Sequence, residues 1–384
     1  MPLDVQPINP KEFDCLREEW NHLLSLSICD NVFLRWEWIH TWWDIFKNNS
    51  NRTLFILTAR RNGRLLGVAP FFIDRVGPLG TRYLKLCSEE LSPDYLDIIA
   101  EKGHETEVVR ALWNYTREGP PPWDVIDFDN LRLDSNLLTD PSLLRENRPW
   151  SEISHPCPYI KIQGTFEDYF RTRDGLVRFS LEKKYQKLMR EMGVTYAEVK
   201  DEKDLAQGLE NLFLLHAKRA KEKNITSDFL SPDAKRFHHA IGRLFLRNQI
   251  LDLQFLYDGK KPISALYNFN YRNKTYYYQA GSDPGWRKWS VGAVLHFLAI
   301  RRAFDKGFDE YDFLKGSESY KSLWSNAVRE ERQLTAYHQT ARGLLYLGSR
   351  RLKGFLKQRL RNNVVATLDG TRVLKGSVLP DHAL

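Results

Sequence analysis

The sequence predicts an α/β protein of the α+β kind, built from two similar units in tandem. Three observations carry this. Leu54 to Ile73 reads LFILTARRNGRLLGVAPFFI and Leu251 to Asn270 reads LDLQFLYDGKKPISALYNFN, each a strand, a tight turn and a second strand. Asn62-Gly63 and Asp258-Gly259 supply the positive φ angles that such a turn requires. Each hairpin is followed by a helical pattern, around Glu105 to Thr116 and Val291 to Phe304, and then by a short apolar strand carrying an Asp, WDVIDF from Trp123 and EYDFL from Glu310. The recurrence of the same order, rather than either hairpin alone, points to an internal duplication. Each unit is expected to be a mixed, mainly antiparallel sheet flanked by helices.

The remaining elements follow in chain order. Phe13 to Leu24 and Arg35 to Phe46 are amphipathic, and the second is dense in Trp, a packing surface more than a ligand cage. Gly119-Pro120-Pro121-Pro122 breaks the chain locally, and the Pro-, Ser- and Asn-rich stretch Pro141 to Pro158 is the expected linker. The units are therefore placed at 1–150 and 159–340. Phe166 to Glu191 reads as a basic helix, with further helices at Asp204 to Lys221 and Phe229 to Arg247. Beyond residue 341 a basic tail carries apolar residues at helical spacing from Gly343 to Leu360.

Composition narrows the function classes. With 384 residues, 42% hydrophobic and 13% aromatic, the chain can bury two cores and is not a disordered protein. Its four cysteines form no CxxC pair, which argues against a zinc ribbon or disulfide framework and suits a cytoplasmic protein. The N-terminus reads as no signal peptide, and no uncharged run approaches the ~20 residues that span a bilayer. Residues 341–384 hold nine Lys/Arg against two Asp, so +7 of the net +8 lies in the tail. The basic balance therefore marks no nucleic-acid site on the core. It makes the tail a candidate peripheral anchor on an anionic membrane surface, at the inner face. His238-His239 is an adjacent helical pair that cannot chelate, and no metal is expected. No P-loop and no GxSxG elbow is present.

The chemistry concentrates between Tyr276 and Trp324, read as strand, loop, helix, strand, helix. The loop Arg287-Lys288-Trp289-Ser290-Val291-Gly292-Ala293 opens the first of these helices with small side chains. Its backbone N–H groups and the helix dipole favour an anion, which predicts a bound phosphate or pyrophosphate and so a nucleotide-bearing donor. The loop resembles the pyrophosphate loop of the GCN5-related N-acetyltransferases, with Ser290 where the first Gly is usual. That resemblance implies that Arg287, Ser290, Val291, Gly292 and Ala293 hold acetyl-CoA or another acyl-CoA as co-substrate. It implies that the pantetheine arm enters a splay between Thr275–Gly281 and Tyr311–Leu314. It also implies that Tyr320, early in the following helix, protonates the leaving thiolate; the alternative is that its ring packs on the sheet.

A narrower likeness rests on His216-x-x-Arg219, the Leu256-to-Ala265 hairpin, Ser290-Val291-Gly292, Lys306-Gly307, Asp312-Phe313-Leu314 and Gly316-x-x-x-Tyr320-Lys321-x-x-Trp324. Trp36-x-Trp38, Trp42-Trp43 and Asp94-Tyr95-x-Asp97 add the first half. These segments are similar to the CelD-like acetyltransferases associated with cellulose and other exopolysaccharide synthesis. The resemblance implies two tandem acetyltransferase-like folds, as in the Fem-type peptidyltransferases. His216 is a candidate base, being the side chain that titrates near neutrality; a structural role is its alternative. Asp312 and Lys321 are candidate catalytic groups, and Arg219, Asp94 and Asp97 candidate acceptor ligands. The expected reaction moves an acyl group to an amine or hydroxyl of a small molecule or saccharide, with an acyl-carrier protein as a second candidate donor. Two other readings stand beside it. One is a Fem-type aminoacyl-tRNA-dependent transferase, although nothing between Lys221 and Ile250 is long enough for that group's helical arm. The other is a non-catalytic docking module of a polysaccharide-assembly complex.

Overall fold

A computed structural model describes residues 2–48, 51–120, 122–139, 150–338 and 340–348. The first half runs β1 (Asp4–Pro7), α1 (Pro10–Cys15), α2 (Arg17–Ser25), α3 (Trp36–Phe46), β2 (Arg52–Arg61), β3 (Arg64–Val76), β4 (Thr81–Leu86), β5 (Ile99–Ala100), α4 (Glu105–Glu118), β6 (Val125–Arg132) and α5 (Asn136–Thr139). Next come β7 (Trp150–Lys161), α6 (Phe166–Arg171), α7 (Gly175–Gln186), β8 (Thr195–Glu198), α8 (Glu202–Glu222) and α9 (Pro232–Arg247). The chain then forms β9 (Leu251–Asp258), β10 (Lys261–Tyr271), β11 (Lys274–Ser282), α10 (Val291–Asp305), β12 (Glu310–Asp312), α11 (Ser319–Trp324) and β13 (Ala327–Tyr337). Of the tail, residues 341–348 are helical, and the rest of the predicted anchor lies outside the described residues.

All thirteen strands join in one sheet, ordered β1-β2-β3-β4-β6-β13-β7-β12-β11-β10-β9-β8, with β5 paired to β3. The duplication is visible in the pairing. In each half three antiparallel strands are followed by a helix and a strand that returns parallel to the third, β4 with β6 and β11 with β12. The two central strands are exchanged. β7, which follows the first half in sequence, pairs with β12 of the second, and β13, which follows the second, pairs with β6 of the first. β7 and β13 pair with each other along the centre.

Local chemistry explains most boundaries. Asn62 and Gly63 both take positive φ, as a two-residue hairpin loop demands. In the second hairpin Asp258 belongs to the strand, opposite Lys261, and the loop is Gly259-Lys260, with only Gly259 at positive φ. The helix expected over Phe13 to Leu24 is two, joined at Leu16. Asn9 and Glu12 form a reciprocal cap that starts the first of them early. The basic segment Phe166 to Glu191 is likewise divided, because Asp174 accepts from the Leu176 and Val177 amides and so starts α7 anew. The expected linker is also partly wrong: β7 begins at Trp150. Pro156 and Pro158 stand in that strand, and their carbonyls accept from Gly316 and Phe313.

In the second half both sheet faces are covered, α8 and α9 on one and α10 with α6 and α7 on the other. Strand alternation sorts the side chains: Leu253, Phe255, Ala265, Tyr267 and Phe269 join one core, Leu256, Ile263 and Leu266 the other. The first core runs on into the first half. Trp38 of α3 is fully buried and packs on Phe237 of α9 (centroids 4.8 Å apart) and on Phe269 and Tyr278 (5.7 and 5.6 Å). The Trp-rich helix is thus the joint between the halves.

Candidate active site

β11 and β12 pair only over three residues, Lys274–Tyr276 against Glu310–Asp312. Beyond Tyr276 the edge of β11 facing β12 is without that partner. A cavity of about 530 Å³ opens there, between β10, β11, α7, α10 and α11, lined among others by Leu181, Leu266, Tyr277, Gly281, His296 and Trp324. It is largely apolar along its length and polar at its mouth.

That mouth is the loop before α10. Ser290 takes a left-handed conformation, φ 50° and ψ 44°, and gives α10 no side-chain cap. The first turn of the helix lines the space, and a Cβ on Gly292 would meet no atom within 4 Å. The Lys184 ammonium donates to the Ser290 hydroxyl at 2.8 Å. Arg287 is exposed and pairs with Glu222 at 3.2 Å. Asp283, at the end of the strand, is held by Lys218 (2.9 Å) and Lys261 (3.2 Å), and Lys218 above all keeps its pKa down at about 2. An uncapped helix start ringed by cations is suited to a phosphate-bearing group.

A second cavity, about 350 Å³, lies where the halves meet, lined by Ser92 and Asp94 from the first half and by His216, Ser227, Lys315 and Lys321 from the second. Arg219, Tyr277 and Tyr320 line both this cavity and the apolar one, and so form the wall between them. The Tyr320 hydroxyl donates to that of Tyr277 at 3.2 Å, and the Arg219 guanidinium lies beside both. Burial raises the Tyr320 pKa, the Tyr277 and Glu318 neighbours raise it further, and Arg219 opposes. Tyr320 therefore keeps its proton at neutral pH. Burial likewise drives the pKa of His296, against Tyr277 and Tyr320, down to about 3.

The predicted residues fall into two groups. Tyr320, His216, Lys321, Arg219 and Asp94 converge on the second cavity, and Ser290, Val291, Gly292 and Ala293 line the mouth of the first with Arg287. Asp97 and Asp312 line neither of these cavities. Asp97 is buried and spends its carboxylate on Ser135 Oγ and the amides of Ile98, Asn136 and Leu137, tying the segment before β5 to α5. Even so, burial holds its pKa up at about 7. Asp312 is fully buried at the end of β12, where it accepts from the Tyr95 hydroxyl (2.8 Å) and the Leu314 amide (2.8 Å) and faces Arg329. Its position supports the loop that carries Lys315 rather than a bound acceptor. The Lys321 ammonium is anchored on the Lys315 carbonyl at 2.6 Å and on Glu318.

Sequence reasoning missed Tyr277, hidden in an aromatic run, and His296, Lys184 and Ser227, which sit in no motif. It also missed a buried cluster in which Asp94, Cys157 and Glu331 each place a possible ligand atom within 4.8 Å of the others. Burial raises both carboxyl pKa values, which favours their protonated forms over a paired dianion.

One glycine sets this geometry. A Cβ at Gly281 would lie 2.5 Å from the His216 amide nitrogen and 2.6 Å from Leu215 Cβ, so α8 sits directly on β11 there. Gly281→Ala is expected to push the helix outward and to destabilise the fold by about 1–3 kcal/mol. Thermal melting checks this, and an unchanged melting temperature would contradict the close contact.

The comparisons with known proteins agree with this architecture. Residues 177–322 match the family described as acetyltransferase (GNAT) domain, and that span holds the loop, Tyr320 and most of the residues lining the cavity. No curated protein matches the chain. Among solved structures, FemX superposes with a TM-score of 0.61 at 10% identity, over 86% of this chain and 96% of that one. The C-terminal domain (DUF2156) of a putative lysylphosphatidylglycerol synthetase from Agrobacterium fabrum gives 0.53 at 9%, over 90% and 98%. L-PGS from Bacillus licheniformis gives 0.51 at 9%, over 88% and 96%. At such identities these three likenesses speak to the fold. The chain is thus a mixed α/β protein whose residues 177–322 match the GNAT acetyltransferase domain model, and whose overall fold is similar to that of FemX.

Proposed function

We propose that the chain transfers an acyl group from an acyl-CoA thioester to an amine or hydroxyl acceptor. The observation that carries this reading is the wall of Arg219, Tyr277 and Tyr320 between two cavities, one opening at a phosphate-suited loop and the other between the halves. The CoA diphosphate lies on the first turn of α10, and the pantetheine arm runs along the unpaired edge of β11. The thioester then reaches the wall from one side and the acceptor from the other. The acceptor attacks the thioester carbon directly, and Tyr320 gives its proton to the departing sulfur while Arg219 balances the charge left behind. The likeness to CelD-type proteins favours a saccharide or saccharide precursor as acceptor.

FemX-like architecture raises aminoacyl-tRNA as the competing donor. The link from α8 to α9 holds only a short turn, Asp228–Leu230, so no helical arm projects from that place. Calorimetry with acetyl-CoA, set against filter binding with charged tRNA, separates the two. Saturable acetyl-CoA binding without tRNA retention is expected, and the reverse result would overturn the acyl-CoA reading.

A further inference from the structure

The second cavity holds a pair of side chains whose hydrogen positions are fixed by their partners. His216 Nδ1 lies 3.0 Å from the Ala280 carbonyl oxygen, and a carbonyl only accepts, so Nδ1 carries the hydrogen. Burial, with Arg219 nearby, lowers the His216 pKa and keeps the ring neutral. Nε2 then bears a lone pair. It faces Ser227 Oγ at 2.8 Å, so the serine donates. Phe229, edge-on at 5.1 Å, holds the ring in place. Ser227 precedes the short turn Asp228–Leu230, where a serine hydroxyl would ordinarily cap the free amides. It makes no such cap. Its hydroxyl is committed to His216, and both residues line the cavity together with Tyr320 and Asp94.

We infer that Ser227 and His216 form the proton relay on the acceptor side of this site, with Ser227 the group that touches the acceptor. The inference rests on the acyl-transfer reading above. As the acceptor nitrogen or oxygen bonds to the thioester carbon, its hydrogen passes to Ser227 Oγ and the serine's own hydrogen passes to His216 Nε2. The C–S bond breaks, and sulfur keeps the electron pair and takes the Tyr320 proton. His216 is left as an imidazolium, still donating to Ala280, and Tyr320 as a phenolate. Proton exchange with solvent restores both.

The test uses the full chain, acetyl-CoA as donor, and two acceptors: glucosamine, with an amine and hydroxyls, and hydroxylamine, a strong nucleophile that needs little help from a base. Release of free thiol is the readout. Ser227→Ala is expected to lower turnover of glucosamine by about 10²–10⁴-fold while sparing most of the hydroxylamine rate, acetyl-CoA affinity and melting temperature. Ser227→Thr, which keeps a hydroxyl, should recover most of the loss. His216→Gln should lose a similar factor, and the double variant no more than either single one, because the two act as a unit. Wild-type glucosamine turnover in Ser227→Ala overturns the relay, as do equal losses with both acceptors or losses that multiply in the double variant. A wild type that binds acetyl-CoA but releases no thiol with either acceptor also overturns it. A wild type that fails to bind acetyl-CoA overturns the donor assignment instead.

Discussion

Tyr320→Phe is expected to cut the rate of acyl transfer by about 10²–10⁴-fold while leaving donor affinity close to normal. The substitution keeps the ring, which packs near His296 on the cavity wall, and removes only the hydroxyl. That hydroxyl stands in the wall between the two cavities, and burial together with Tyr277 and Glu318 keeps it protonated. Losing its hydrogen bond to Tyr277 should cost roughly 0.5–1.5 kcal/mol of stability, so the folded protein survives. Single-turnover thiol release, compared with calorimetric binding of acetyl-CoA, separates chemistry from binding. An unchanged rate under conditions where chemistry limits turnover would make Tyr320 a packing residue.

The second large effect is expected at Gly292, where Val should abolish acetyl-CoA binding. A Cβ at this position enters open space, with no atom within 4 Å beyond its chain neighbours and the helix's own backbone, so the fold has little reason to resist it. Replacing a helical Gly removes backbone freedom from the unfolded chain, and the melting temperature should hold or rise slightly. The branched side chain instead fills the approach to the first turn of α10, where the proposed acyl-CoA would rest its diphosphate. Calorimetry decides it. A folded Gly292→Val protein with wild-type affinity for acetyl-CoA would remove the diphosphate from this loop.

What was legible in the sequence is what is encoded locally. Hairpin turns announce themselves in Asn-Gly, and the donor loop is contiguous, so its small residues, its cations and the helix after it read directly from Arg287 to Ala293. The acceptor side is different in kind. Tyr95 and Asp312, which bond to each other, stand 217 positions apart, and Asp94 reaches the cavity only because the first half is packed against the second. No spacing rule brings them together. The same limit explains Asp97: an Asp in a loop carries no mark telling whether its oxygens will meet a ligand or, as here, four neighbouring donors. The exchange of β7 and β13 was invisible for a related reason. Alternation shows that a strand has a buried face, but the identity of the strand beside it depends on the whole topology.

That exchange bears on how the chain is born. As it leaves the ribosome, the first half has β6 with one edge bare, and the strand that covers it, Ala327–Tyr337, emerges after every other described strand. Bare edges of this sort recruit wrong partners. β7 in its turn must wait for β12 and β13. Neither half can be completed before the other, so the molecule closes late and as a whole. A cut after β7 would yield two fragments, each lacking a strand that the other carries. The fusion of the two units is therefore a condition of folding as much as a way of placing two cavities back to back.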